Sequence, residues 1–138
     1  MKIARQTKRI MFADCDPARI VFYPRYIEWF DRATQNLFTE AGLPWSTFFP
    51  DSGIVGLPIV DVQASFRGPA MMDDTVELES WIEEWRERTF VVAHRIFKND
   101  TEIVEGREIR AWVVRDESAR TGIRAAPIPD AVKARFED

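Results

Sequence analysis

The pattern of apolar and polar residues predicts one long helix, at residues 24–41. On a helical wheel, the apolar residues fall in one broad arc and most charged residues fall opposite, which indicates a helix with a wide buried face. Pro24 suits the first position of a helix, and Gly42 suits the residue just after its end. Asp31 lies at the edge of the apolar arc. Residues 45–50 predict a short, aromatic-rich turn of helix after it.

Apolar runs and alternations elsewhere in the chain predict five strands. They cover residues 3–12, 56–67, 75–85, 90–97 and 102–115, with Asn99-Asp100 as the hairpin turn between the last two and a short helix after Pro127. One strand, one long helix and then four strands of an antiparallel meander predict a two-layer α+β domain. Because one helix covers only one face of a sheet, an exposed face and exposed edges remain, and we expect the domain to oligomerise.

The composition fits a single domain of 138 residues. Its 10 Phe, 2 Tyr and 5 Trp indicate a broad buried surface or an apolar ligand pocket. The net charge of −4 argues against nonspecific nucleic-acid binding. The single cysteine, Cys15, excludes an intrachain disulfide, and no apolar run approaches the ~18 residues that a membrane span needs. Since the N-terminus also lacks the apolar core of a signal peptide, we expect a cytoplasmic protein with no membrane partner.

The candidate chemistry lies in the segment Asp14-Cys15-Asp16-Pro17, just before the long helix. A helix N-terminus offers unpaired N–H groups and a partial positive charge, which can polarise a carbonyl oxygen. A carboxylate facing that carbonyl can attack it or activate a water molecule. The alternative is that Asp14 or Asp16 only makes turn hydrogen bonds, the usual role of Asp before Pro. The residues alone leave both possibilities open.

Residues 12–26, FADCDPARIVFYPRY, resemble the signature of the 4-hydroxybenzoyl-CoA thioesterase family. The resemblance resumes at residues 53–60, 64–66 and 84–91 and covers most of residues 10–92. It implies a hotdog fold, in which an antiparallel sheet wraps around one long central helix, formed as a single domain by residues 1–138. It also implies an acyl-CoA thioester hydrolase that needs no metal or organic cofactor. The site of such enzymes commonly lies between subunits, so a dimer or tetramer follows from the resemblance.

The resemblance also assigns roles to particular residues. It implies that Asp16 is the catalytic nucleophile or general base and that the backbone N–H of Tyr23 binds the thioester oxygen. It places Asp31 near an aromatic acyl group, where a carboxylate would accept a hydrogen bond from a phenol. A solvated or salt-bridged helix residue is the alternative for Asp31. The matching basic residues for the CoA phosphates are Arg86 and Arg88, because guanidinium binds phosphate well; a solvated hairpin turn is the alternative.

Two further candidates lie near the end of one predicted strand. Arg67 is a candidate for substrate binding, and Ser65 is a candidate for holding water or the pantetheine arm of CoA.

Three residues depart from the family pattern. Arg19 stands where the family usually has a small residue, often Gly. Leu57 stands where the 4-hydroxybenzoyl enzymes have a polar Thr near the acyl pocket, which favours a more apolar acyl group. Glu87 interrupts a cluster that is otherwise basic.

Other kinds of chemistry find less support in the sequence. No residue near Cys15 in the sequence is an evident base to activate its thiol. His94 is the only histidine, and its strand context favours a core or surface imidazole. One His and one Cys do not build a zinc site of ordinary ligand spacing. A hydratase on the same fold usually has a His beside the catalytic Asp, and His94 is poorly placed for that. We therefore predict an aromatic acyl-CoA thioesterase; a medium-chain aliphatic thioesterase and a nonenzymatic acyl-CoA-binding module remain alternatives.

Overall fold

A computed structural model describes residues 1–138. The long helix packs on one face of a five-stranded antiparallel sheet with the strand order β1-β4-β5-β6-β3, and a small second sheet has the order β2-β7-β8. In chain order the elements are β1 (Ala4–Arg9), a short 3-10 turn (Phe12–Asp14), α1 (Pro24–Glu40), α2 (Trp45–Ser52), β2 (Ile54–Gly56), β3 (Ile59–Phe66), β4 (Thr75–Trp85), β5 (Thr89–Lys98), β6 (Thr101–Ala111), β7 (Val113–Arg115), β8 (Ile123–Ala125) and α3 (Asp130–Ala134). The predicted two-layer α+β class is confirmed.

The predicted order of the four later strands is wrong in one respect. β4, β5 and β6 form a meander, and the turn at Asn99 and Asp100 has the positive φ angles, 50° and 64°, of a tight hairpin. However, β3 pairs with β6 and not with β4, so β3 lies at one edge of the sheet.

Two predicted strands are in fact split between the sheets. The stretch at residues 56–67 breaks around Pro58, which has no N–H to donate to a ladder. The stretch at residues 102–115 breaks at Trp112, whose N–H donates to Arg88 O and whose carbonyl accepts from Ala126 N, both 2.9 Å. β2, which precedes Pro58, pairs with β7, which follows Trp112. β8 completes the second sheet by pairing with β7, and the sequence pattern did not indicate this strand.

The buried face of α1 is the one that the apolar arc predicts. Its buried residues are Tyr26, Trp29, Phe30, Ala33, Thr34, Leu37 and Phe38. The helix approaches β6 very closely at Gly106, where an ideal Cβ atom would lie 2.3 Å from Cζ of Phe30. A glycine at this position therefore lets the ring of Phe30 lie directly on the sheet.

The outer edge of β3 has no partner strand within the chain. Three of its large apolar side chains, those of Ile59, Val60 and Phe66, are 44%, 62% and 50% exposed. An open edge with exposed apolar side chains is a surface that pairs readily with another strand. None of the helices is both long enough and apolar enough to span a bilayer.

Candidate active site

The two carboxylates before α1 have different surroundings. Asp14 ends the 3-10 turn, and its Oδ2 accepts a hydrogen bond from Met11 N at 2.9 Å. Its backbone oxygen accepts from Phe22 N at 2.9 Å, which ties the turn to the segment before the helix. Asp14 therefore makes turn hydrogen bonds through both its side chain and its backbone oxygen.

Asp16 is half-buried and keeps one carboxylate oxygen free. Its Oδ1 accepts from Ala18 N at 2.8 Å, while Oδ2 has no hydrogen-bond partner within the chain. Its backbone N–H donates to Ile20 O at 3.0 Å, and Cys15 forms an isolated β-bridge with Val21. The loop therefore doubles back, so that Asp16 lies beside the residues that lead into α1.

The backbone conformation of Arg19 is one that favours a small residue such as glycine at this position in the loop. Its φ angle is 67°, in the left-handed region that Gly adopts without strain and that costs other residues roughly 1–2 kcal/mol. Its carbonyl accepts from Met72 N at 3.0 Å, which fastens the loop to the segment before β4. The departure at Arg19 thus changes the side chain while the backbone keeps a conformation typical of glycine.

The neighbouring thiol is unsuited to act as a nucleophile. Burial raises the pKa of Cys15, and the charges of Asp14 and Asp16 raise it further. Its Sγ lies 3.5 Å from Met11 O and has no basic partner. The thiol therefore stays protonated near neutral pH, which agrees with setting Cys15 aside.

The N-terminus of α1 has one unpaired N–H group close to this loop. Tyr23 is the N-cap residue, and its backbone N–H has no hydrogen-bond partner within the chain. Pro24 has no N–H, and the next two N–H groups donate to Phe22 O and Tyr23 O at 2.9 and 3.1 Å. The Tyr23 N–H is thus the donor that the start of the helix leaves free for an incoming oxygen.

A mostly apolar groove of about 390 Å³ opens beside Tyr23. It is lined by Ile20, Val21, Tyr23, Tyr26 and residues 66–70. Of the sequence-predicted residues, Tyr23 and Arg67 lie in its wall. The guanidinium of Arg67 is already paired with Glu102 at 2.5 Å and with Glu105 at 2.6 Å.

The two residues assigned to the acyl group are linked by a residue that the sequence reasoning missed. Asp31 lies about two helical turns beyond Tyr23, and its Oδ1 accepts from Nη2 of Arg110 at 2.7 Å. Nη1 of the same guanidinium donates to the backbone oxygen of Leu57 at 2.9 Å. The Leu57 side chain itself is only 4% exposed and packs in the core, so it does not line the groove.

Arg110 belongs to a buried polar cluster on the inner face of β5 and β6. Its Nη2 also donates to Oε2 of Glu108 at 2.8 Å, and Oε1 of Glu108 lies 2.9 Å from Nε2 of His94. Because a carboxylate only accepts, Nε2 carries a proton, and Nδ1 lies 2.7 Å from Ser80 Oγ, a hydroxyl that can pair with that nitrogen whether or not it is protonated. The hydroxyl of Thr34 also donates to Glu108. His94 is therefore a fully satisfied core residue, which is one of the two possibilities that the sequence leaves open.

The electrostatics of this cluster keep Glu108 ionised. Burial would raise the pKa of Glu108, but the hydrogen bonds and positive charges of His94 and Arg110 outweigh burial and lower it to about 2. The sequence did contain a signal for the pair. Glu108 and Arg110 alternate with outward residues along a buried strand, on the same face as Gly106 and Val104. Two charges on the buried face of a central strand need partners, and these are supplied by α1 and β5.

The remaining predicted residues are Arg86 and Arg88, which lie away from Asp16 within one chain, and Ser65, which lies outside the groove. Arg86 and Arg88 are in the β4–β5 hairpin, paired with Glu84 at 3.0 Å and Glu87 at 3.9 Å and about half exposed. The Asp16 loop joins the opposite end of β4, so the two places are separated by about 33 Å along the strand. Ser65 faces Glu105 across the β3–β6 ladder and does not line the groove. No three His, Cys, Asp or Glu side chains are grouped so that they would hold a metal ion.

Comparison with known proteins finds a matching family model, a related protein and similar solved structures. A family model described as "Thioesterase-like superfamily" matches residues 10–136. The 4-hydroxybenzoyl-CoA thioesterase of Pseudomonas sp. strain CBS-3 is 40% identical over 128 residues, which are 88% of this chain and 89% of that protein. A crystal structure of a 4-hydroxybenzoyl-CoA thioesterase mutant complexed with 4-hydroxybenzoyl-CoA superposes with a TM-score of 0.89 and 34% identity, covering 99% of this chain and 100% of that one. The structure of a gentisyl-coenzyme A thioesterase gives a TM-score of 0.82 and 33% identity, with 97% and 100% covered.

The fold and these likenesses together define a hotdog-fold acyl-CoA thioester hydrolase. The identity and coverage then specify the family. The chain belongs to the 4-hydroxybenzoyl-CoA thioesterase family, as the motif at residues 12–26 predicts.

Proposed function

We propose that the chain hydrolyses an aromatic acyl-CoA, of the 4-hydroxybenzoyl or benzoyl type, to the free acid and CoA. The observation that carries this proposal is that two groups near the start of α1 have no hydrogen-bond partner within the chain. They are Oδ2 of Asp16 and the backbone N–H of Tyr23. The relatives named for 4-hydroxybenzoyl and gentisyl substrates act on hydroxylated aromatic acyl groups, which supports the aromatic class.

The two free groups suit the two needs of thioester hydrolysis. The N–H of Tyr23 donates to the carbonyl oxygen and stabilises the negative charge that forms there. Asp16 then acts in one of two ways. As a general base, it takes a proton from water while the water oxygen attacks the carbonyl carbon. As a nucleophile, it attacks that carbon itself and forms an anhydride, which water then hydrolyses. In both routes the carbon–sulfur bond breaks, and the CoA thiolate leaves and takes up a proton.

The assay measures release of the CoA thiol from 4-hydroxybenzoyl-CoA, benzoyl-CoA and octanoyl-CoA by wild type and by Asp16→Asn. We expect the aromatic substrates to be preferred and kcat to fall at least ~100-fold in Asp16→Asn, since a group that takes up a proton or attacks has been removed. Asp51→Asn, an exposed aspartate on α2, is the matched control and should retain wild-type kcat.

Three outcomes would contradict the proposal. Near-wild-type turnover in Asp16→Asn would refute the mechanism. A preference for octanoyl-CoA would favour the aliphatic alternative. Binding of several acyl-CoAs without turnover would favour a binding module.

We further propose that the working unit pairs two copies along β3. Ile59 lies at the end of the sheet that carries the Arg86–Arg88 hairpin, and Phe66 lies at the end that carries Asp16. A two-fold axis places the partner's β3 antiparallel to this one. The basic hairpin of one subunit then approaches Asp16 of the other, and the distance of about 33 Å within a chain no longer separates the two.

Light scattering tests the pairing. We expect a mass at least twice the 16.1 kDa of one chain, with the dimer or tetramer read directly from the value. Val60→Lys places a charge on the open edge and should lower both the mass and the turnover. Val55→Lys, on β2, is the exposed apolar control and should change neither. A monomeric wild type with full activity would refute the pairing.

A further inference from the structure

The buried guanidinium of Arg110 has an unusual set of partners. Its side chain is only 4% exposed, and it contacts the carboxylate of Asp31 on α1, the carbonyl of Leu57 before β3 and the carboxylate of Glu108 on its own strand. Asp31 and Leu57 are the two residues that the family resemblance assigns to the acyl group. One side chain thus holds both of them, although they come from different elements of the fold.

The ion pair with Asp31 is not needed to neutralise Arg110. Glu108, which is 2% exposed at its side chain, already lies 2.8 Å from the guanidinium and is in turn held by His94 and Thr34. Asp31 is 58% exposed at its side chain, so its pairing adds little to stability on its own account. The contact does have a geometric effect, because it fixes one oxygen of an otherwise mobile carboxylate.

The fixed carboxylate retains a free acceptor. Arg110 occupies Oδ1 of Asp31, while Oδ2 has no hydrogen-bond partner within the chain. An ionised carboxylate accepts hydrogen bonds and donates none. Covering it with an apolar ring would cost free energy, whereas a ring that carries a hydroxyl or amino group would supply a donor. The nearby guanidinium offsets part of the cost of covering the negative charge.

We propose that Arg110 is a positioning residue for substrate selection: it orients Asp31 so that Oδ2 meets a hydrogen-bond donor at the far end of the acyl group. The proposal rests on the proposed aromatic acyl-CoA thioesterase function, since it needs Asp31 to face the acyl group. Glu108 holds Arg110 in place, and His94 and Thr34 hold Glu108. The selected substrates are ring acyl-CoAs that carry a donor opposite the thioester.

The test compares kcat/KM for 4-hydroxybenzoyl-CoA and benzoyl-CoA in wild type, Asp31→Asn, Arg110→Lys and the double variant. Lysine keeps the positive charge beside Glu108 but has no planar fork to reach Asp31 and Leu57 together. We expect the preference for the hydroxylated substrate to fall about 10-fold in each single variant, the size of one charge-assisted hydrogen bond.

The double variant and a matched control separate positioning from a structural role. Because Arg110 acts through Asp31, the double variant should lose no more preference than either single variant. Arg107→Lys is the control, since Arg107 lies on the same strand but pairs on the outer face with Glu83 at 2.7 Å. It should leave the preference unchanged.

A purely structural role predicts a different result. Arg110→Lys would then reduce kcat/KM for both substrates equally, and that outcome would overturn the inference. If Arg110→Lys does not fold, the double variant Glu108→Gln with Arg110→Gln takes its place, because it leaves no uncompensated charge in that buried pair. An unchanged preference for the hydroxylated substrate in this double variant would also overturn the inference. If wild type cleaves neither aromatic substrate, the proposed function fails as well. If it cleaves them with a preference that Arg110→Lys leaves intact, only the present inference fails.

Discussion

Replacing Gly106 by alanine should destabilise the protein, because the new methyl group would collide with the ring of Phe30. An ideal Cβ at Gly106 lies 2.3 Å from Cζ and 2.4 Å from Cε2 of that ring, and 3.1 Å from Cε1. Ordinary contact between such carbon atoms needs about 3.5 Å, so the ring or the sheet must move by about 1 Å. Phe30 is fully buried and lies parallel to His94 with 4.6 Å between ring centroids, so it has no free space on that side.

The expected loss of unfolding free energy is about 1–3 kcal/mol, the usual cost of overpacking a core. Urea unfolding followed by tryptophan fluorescence measures it. Gly56→Ala is the matched control, because no atom lies within 4 Å of an added Cβ there and the backbone φ is not positive. The control should be neutral or slightly stabilising, since alanine loses less backbone entropy than glycine on folding.

A double-mutant cycle tests the named contact. Phe30→Leu alone should destabilise by removing buried ring atoms, but Gly106→Ala added to it should cost less than in wild type, because the ring carbons it meets are gone. Two results would refute the reasoning: a Gly106→Ala protein within about 0.5 kcal/mol of wild type, or strictly additive effects in the cycle.

Two further predictions concern charge. The pKa of Glu108, about 2 in the folded protein against 4.5 ordinarily, means that its contribution to stability is complete above about pH 4.5 and is lost as the pH falls towards 2. The difference corresponds to about 3 kcal/mol, so between pH 4.5 and 2 wild type should lose that much more unfolding free energy than Glu108→Gln; parallel curves would contradict this. The variant Arg86→Gln with Arg88→Gln should raise KM for acyl-CoA several-fold, with kcat retained and a weaker dependence on salt. A short thioester without the nucleotide serves as control, and an equal effect on its KM would argue against phosphate binding.

The sequence predicted best those elements whose pattern is local. The wheel of residues 24–41 and the alternation of residues 75–85 each depend on neighbours within one element, and α1 and β4 follow closely. The break at Trp112 was missed because it depends on which distant strand each segment pairs with, whereas the break at Pro58 had a local signal in the proline itself. The pairing of β3 with β6 is also a choice between remote partners, which a pattern along the chain does not encode.

The candidate site divides in the same way. Asp16 and Tyr23 lie in one continuous motif, and the structure brings them to one loop and one helix start. The alternation along β6 marks Arg110 as buried, but it does not identify the partner Asp31, which is 79 residues away in sequence. Only the packing of α1 against β6 brings the two together, and no spacing rule along the chain reports that contact.

The separation of Asp16 from the basic hairpin within one chain has a genetic consequence. If each catalytic centre takes its carboxylate from one subunit and its phosphate-binding arginines from the other, a chain defective in Asp16 and a chain defective in Arg86 and Arg88 fail for different reasons. In a mixed dimer both defects fall in the same site, and the second site is assembled from intact parts. Co-expression of two inactive alleles should then restore part of the activity, which neither allele provides alone.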